Sequence, residues 1–199
     1  MGLELDQCVA VIQGSESRGK LHVDSNELCF RSKDLRWSVK VGKGTSAKVV
    51  ENDLVVRRGS KTASFRVGTG AEKWADKVLN PPSRGKKLGL KPDHRYWIRG
   101  DFDPSFLIEL ADHGLVKAAR SKSCDIAFVL ILSQADLKAF DKIAATSAVG
   151  THLWAVYQKG KDAAIGQTAV MAQAKENGMG PGKGIAFDDV YSAMRFTKK

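Results

Sequence analysis

The chain has 199 residues, 43% of them hydrophobic, which is enough for one or two packed domains. Its 32 Lys+Arg against 22 Asp+Glu give a formal charge of +10. No apolar run nears the roughly 18 residues of a membrane-spanning helix, and the start, Met1-Gly2-Leu3-Glu4-Leu5-Asp6, lacks the basic-then-apolar order of a secretory signal.

The charge is spread evenly. Residues up to Gly85 hold 15 basic and 10 acidic side chains, and those after it hold 17 and 12, so each part carries +5. Nucleic-acid binders concentrate positive charge on one face, so the even spread weakens a nonspecific nucleic-acid reading. The clearest local cluster is Arg84, Lys86, Lys87 and Lys91, a candidate anion site. Cys8, Cys29 and Cys124 are odd in number and far apart, with no Cys-x-x-Cys pair. That argues against a disulfide framework or structural zinc, and for a reducing, cytoplasmic setting with buried thiols.

In chain order, the predicted elements begin with short strands. Residues 20–23 and 27–31 flank the turn Asp24-Ser25-Asn26. Residues 36–41 alternate, with Trp37, Val39 and Val41 on one side. Residues 47–50 and 54–57 surround Glu51-Asn52-Asp53, and 62–67 follow. A helix comes next, with Thr69 and Glu72 spaced as a capping box and Ala71, Trp74, Ala75, Val78 and Leu79 as its apolar stripe. Asn80-Pro81-Pro82 ends it. The expected organisation is a small β domain over residues 1–80, a linker over 81–87 and an α/β domain over 88–199.

Downstream, residues 95–100 read as a strand, and Asp103-Pro104 as the start of a helix ended by Gly114. Residues 115–119 read as a short strand. Residues 126–132 form a continuous apolar run, the mark of a central strand covered on both faces. Ser133 and Asp136 cap the next helix. A strand over 151–157, a helix over 163–177 and a hairpin of 185–187 with 191–196 complete the order. Only residues 120–125 join the short strand to the central one, so that strand should be very short, irregular or antiparallel. Gly178-Met179-Gly180-Pro181-Gly182-Lys183-Gly184 lacks the Ser or Thr of a phosphate-binding loop and reads as a flexible loop.

The pattern over residues 18–80 resembles a pleckstrin-homology-like barrel closed by a C-terminal helix. The pattern downstream of the linker resembles a trimmed, degenerate methyltransferase-type Rossmann sheet in a three-layer α/β domain. Leu88-Gly89-Leu90-Lys91-Pro92, Trp154-Ala155-Val156-Tyr157-Gln158-Lys159-Gly160 and Asp188-Asp189-Val190-Tyr191-Ser192-Ala193-Met194-Arg195-Phe196 resemble an uncharacterised bacterial Rossmann-like family with no assigned function. The resemblance covers about residues 86–198, and Gln158 stands where the family has Pro.

In such sheets ligands sit beyond the carboxyl ends of the strands. The candidates there are Gly100, Asp101, Asp103, Arg120, Ser133, Gln134, Tyr157, Lys159 and Lys161. The dinucleotide fingerprint is missing, since Gly100-Asp101-Phe102-Asp103-Pro104 has one glycine, two acids and a proline. The same segment resembles the opening of His-x-Gly-His nucleotidyltransferases, but Phe106, Ile108 and Glu109 occupy the matching places. No Gly-x-Ser-x-Gly elbow exists. Asp188 and Asp189 could bind a metal or act as acid and base but read better as a turn, which pairing with Arg195 would stiffen. No catalytic residue, cofactor, metal or membrane contact is expected. The leading expectation is a cytoplasmic, non-enzymatic binding or adaptor protein with protein partners. The alternatives are a small-molecule enzyme using a nucleotide or S-adenosylmethionine, then nucleic-acid binding.

Overall fold

The structure, a computed structural model, describes residues 2–198. The chain divides into two compact units, Met1–Pro82 and Ser83–Lys199.

The first unit is a seven-stranded antiparallel sheet in the order β4-β3-β2-β1-β7-β6-β5. The strands are β1 Leu3–Ile12, β2 Ser15–Val23, β3 Glu27–Arg31, β4 Arg36–Lys40, β5 Ser46–Val50, β6 Asp53–Arg58 and β7 Lys61–Arg66. Alternation sets the inner face: Trp37 and Val39, Leu54 and Val56, Ala63 and Phe65 are all buried. Phe65 gathers Phe30 at 6.0 Å and Trp37 at 5.3 Å between ring centroids. Asp24 shapes its turn by accepting from the amides of Asn26 and Glu27. Helix α1, Ala71–Leu79, packs on β5 and β6 through buried Trp74, Ala75 and Val78.

Two features depart from expectation. Strand β1 and the start of β2 precede the first strand read from the sequence. Their signal is the turn Gln13-Gly14, both residues at positive φ, between two runs that pair from Ile12↔Ser15 outward. Thr69 does not cap α1. Residues 68–70 form a 3-10 turn, and the N-cap is Gly70, with no side-chain bond.

The second unit holds α2 Arg84–Leu88, β8 Arg95–Arg99, α3 Pro104–Asp112, β9 Val116–Lys117 and β10 Ile126–Ile131. It continues with α4 Gln134–Thr146, β11 His152–Gln158, α5 Gln167–Glu176, β12 Met179–Ala186 and β13 Tyr191–Lys198. Its sheet runs β12-β13-β11-β10-β8-β9. Strands β9, β8, β10 and β11 are parallel; β13 is antiparallel to β11, and β12 to β13. All six residues of β10 are buried. Ala127, Val129 and Ile131 face one core with α4 and α5. Ile126, Phe128 and Leu130 face the other, with Phe106 and Leu110 of α3.

Residues 84–87, expected within the linker, belong to α2, which Ser83 caps and whose Gly85 and Leu88 are buried in the second unit. Strand β9 is two residues long and parallel. Because it is so short, the return to the start of β10 needs only the turn at residues 121–123. The glycine-rich segment expected as a loop is strand β12. Its ladder to β13 uses backbone groups alone, and the register shift between Pro181 and Gly184 absorbs the proline. Helix α5 starts at Gln167 rather than 163, behind the extended Gly166. No helix among the described residues is long and apolar enough to cross a membrane.

All three thiols are buried, and burial pushes Cys8 up to about 11 and raises Cys124. A thiol-reactive dye should therefore find almost no cysteine in the native protein and all 3 after denaturation. Rapid native labelling would contradict the packing of both cores.

Candidate functional site

Sheet order reverses its direction of growth between β8 and β10. From β8 the chain crosses through α3 to the outer strand β9, and then returns to β10 on the other side. Such a switch point opens a crevice beyond the carboxyl ends of the two strands, where open α/β sheets bind ligands. The loops after Arg99 and Ile131 build it.

Gly100 leaves β8 at φ +106, a conformation side chains avoid, and a Cβ there would stand 2.6 Å from Leu130 Cβ. This glycine is what lets the first loop turn against β10. Asp101 is exposed. Phe102 points into the core, 5.3 Å from Phe106 and 6.0 Å from Phe187 between centroids. Asp103 accepts from the Ser105 amide at 2.8 Å and caps α3 ahead of Pro104. Hydrogen bonds from Ser105 hold its carboxyl below the usual range.

After β10, Ser133 Oγ donates to Asp136 Oδ2 at 2.7 Å, and the Asp136 amide donates back to Ser133 Oγ at 3.2 Å. The Leu132 amide donates to the same carboxylate. The Ser133 bond, chiefly, keeps Asp136 ionised to lower pH, against a small opposing effect of burial. Asp136 was missed as a crevice residue, although its capping spacing was visible in the sequence. The strand ends therefore present carboxylates at Asp101, Asp103 and Asp136, with exposed Arg99 and Gln134 beside them.

The other candidates scatter. Tyr157 is buried in the core shared with α4 and α5, and burial raises its phenol. Lys159 donates through Nζ to the Asp188 carbonyl at 2.5 Å, tying β11 to the turn before β13. Lys161 is exposed beyond Gly160. Arg120 opens the 3-10 turn after β9, whose ladder on β8 ends at Lys117↔Tyr96, short of the carboxyl end. Asp188 is spent on its turn, accepting from the amides of Val190 at 2.8 Å and Tyr191 at 2.7 Å. Asp189 is exposed on that turn. Arg195 lies within β13, opposite Trp154. No group of three or more His, Cys, Asp or Glu placed to hold a metal exists among the described residues.

The basic cluster at the start of the second unit is not one anion site. Arg84 Nε donates to Glu109 Oε2 at 2.6 Å, and the Gly85 amide to Oε1 at 2.8 Å. The same guanidinium lies 5.0 Å over Phe106 and 4.9 Å over Phe187. Arg84 is thus a structural clamp rather than a free ligand. Lys86 and Lys91 are exposed, and the Lys87 carbonyl accepts from Lys183 Nζ at 3.4 Å.

No protein-family model and no curated protein matches the chain. Solved structures do. An N-methyltransferase, NodS, from Bradyrhizobium japonicum is similar at 15% identity and a TM-score of 0.41, over 58% of this chain and 93% of that one. Its complex with S-adenosyl-L-homocysteine gives 14% and 0.43, over 58% and 85%. A TehB-like, S-adenosylmethionine-dependent methyltransferase from Corynebacterium glutamicum gives 9% and 0.38, over 65% and 96%. The second unit is a Rossmann-like α/β domain. These neighbours stand against the expected non-enzymatic adaptor of unknown function and against the lean away from an enzyme, and both readings are withdrawn. At such identities and scores the likeness concerns fold alone and carries no argument about substrate or residues.

Two substitutions check the geometry. Gly100→Ala should cost about 3 kcal/mol from backbone strain and the Leu130 clash, read by urea unfolding. Arg84→Ala should cost about 2 kcal/mol, because it removes a half-sheltered ion pair and leaves two ring faces uncovered; a change within ~0.5 kcal/mol of wild type would place Arg84 outside the core.

Proposed function

We propose that the second unit binds S-adenosylmethionine at the crevice beyond β8 and β10 and that the chain is a small-molecule enzyme dependent on it. The observation that carries this reading is electrostatic. Asp101 and Asp103 follow β8 and Asp136 follows β10, and hydrogen bonds hold the carboxyls of Asp103 and Asp136 below the usual range. Carboxylates repel the phosphates of a nucleotide or dinucleotide and attract a sulfonium and an ammonium group. Gly100 supplies the close-turning loop that such a ligand needs beside its sugar and carboxylate. Ser133 and Gln134 are the neutral polar groups nearest the end of β10. When bound, the cofactor would supply an electrophilic methyl group. Part of the usual cradle is absent: the loop has one glycine, and Lys117 ends β9 and Arg120 follows it where a ribose-binding acid is customary.

Supporting observations extend to finer fold likenesses. The order β4-β3-β2-β1-β7-β6-β5 followed by one helix supports a pleckstrin-homology-like reading of the first unit. The three motifs ending at Phe196 support kinship of the second with the uncharacterised bacterial family. A module boundary near Pro82 accords with the two contact units.

The test is thermal unfolding of the full chain with S-adenosylmethionine, S-adenosylhomocysteine, ATP and NAD, each at roughly 1 mM. The first two should raise the midpoint by several degrees, and Asp101→Lys should abolish the effect. Absence of any shift with either sulfur ligand would overturn the reading.

A further inference from the structure

The opposite end of the same sheet has the opposite character. His152 opens β11 and Trp154 follows on the same face, which the Phe128 side of β10 shares. Arg195 of β13 pairs directly with Trp154, and directly opposed residues of an antiparallel pair project to one side. His94 stands just before β8, two residues ahead of Tyr96, whose ring packs against that same core. Lys91 follows Leu90, buried there too.

Three polar atoms in this region are buried without a hydrogen-bond partner among the described residues: Trp154 Nε1, Arg195 Nε and His94 Nδ1. Trp154 is 0% exposed. Indole and guanidinium nitrogens can only donate, and imidazole can do so when protonated or in the matching tautomer. A buried donor left unmade costs about 1–3 kcal/mol. Charge adds to the imbalance. No ion pair to Arg195, His94, His152 or Lys91 is found among the described residues. The nearby Asp125 turns its carboxylate to the Arg95 amide, at 2.7 Å. His152 is kept neutral to lower pH by burial first, and then by Arg195, His94 and Lys91.

The backbone of β12 comes close to Arg195. The register of β12 on β13 slips between Pro181 and Gly184, so Gly182 and Lys183 bulge opposite it. A Cβ on Gly182 would lie 3.2 Å from Arg195 Nε, so only a glycine lets this exposed bulge pass so near the guanidinium. Gly182 and Lys183 are exposed.

We propose that this amino-terminal edge binds a small oxyanion, received by the Trp154 indole N–H and the Arg195 Nε–H and flanked by His94, His152 and Lys91. The ligand class is a tetrahedral oxyanion, free or as the phosphate or sulfate group of a metabolite. Strong donors with no acceptor are what such a group requires. The site lies at the end of the sheet away from the crevice and does not depend on the cofactor reading.

The experiment is an NMR titration of the uniformly ¹⁵N-labelled full chain with sulfate at low ionic strength, with chloride as the control. Sulfate keeps its charge near neutral pH. The Trp154 indole and Arg195 Nε–H signals should move along one saturating curve while the Trp37 and Trp74 indoles stay still. Arg195→Gln should weaken binding by about tenfold or more, the worth of one charge-assisted hydrogen bond. If that variant fails to fold, His94→Ala, at a half-buried loop position, should weaken binding in the same direction. Inorganic phosphate and a phosphorylated sugar then separate a free ion from a metabolite group, and tighter binding of the sugar phosphate assigns the latter. Equal shifts with chloride, no saturable shift of Trp154, or a folded Arg195→Gln that titrates like wild type would each overturn the proposal.

Discussion

Strand β10 is the constraint on which the second unit rests. Six consecutive apolar residues, each worth roughly 1.5–3 kcal/mol when fully buried, must be covered on both faces. A strand without a polar face cannot be an edge and cannot face water, so β8 and β11 flank it and helices lie above and below. Parallel neighbours follow from the helical crossovers on each side. Once β10 is central, the reversal of order between it and β8 is unavoidable, and the crevice exists because of that reversal.

The two ends of this sheet then differ for local reasons. At the carboxyl ends, helices α3 and α4 begin, and helix starts favour carboxylate caps, so Asp103 and Asp136 collect there. At the amino ends no helix begins at Lys91, His94 or His152, and the one carboxylate the backbone holds there, Asp125, is taken by the Arg95 amide. Capping carboxylates gather at one end, and His94, His152, Lys91 and Arg195 at the other. Arg84 shows how the unit handles a cation it does keep inside: a bidentate grip by Glu109 on Arg84 and the Gly85 amide, with aromatic rings beneath. Arg195 and Trp154 have no such arrangement, and this contrast gives their unpartnered nitrogens meaning.

In the first unit the exposed side of β4 is managed by side chains. Lys61 donates to the Ser38 carbonyl, and Arg58 to those of Lys40 and Lys43 and to Thr45. Charged groups that satisfy a strand's outward carbonyls also discourage a second chain from pairing there.

Periodicity and turn chemistry in the sequence determined most elements, because alternation at Arg36–Lys40, the apolar run at Ile126–Ile131 and the caps at Asp103 and Ser133 are local effects of residues close in sequence. The mixed sheet with its closing hairpin followed from the same signals. Elements held by backbone pairing alone were hidden. Strand β12, with its four glycines or prolines among the first six residues, carries no side-chain pattern, whereas β1 is signalled by the Gln13-Gly14 turn that joins it to β2. Site residues were hidden for a different reason. Tyr157, Arg84 and Lys159 resemble ligand groups in one dimension, but strand parity and partners far along the chain, Glu109 for Arg84 and Asp188 for Lys159, decide what each one meets. The meeting of Trp154 with Arg195, across 41 residues of sequence, is a fact of register, and register is fixed only when the sheet closes.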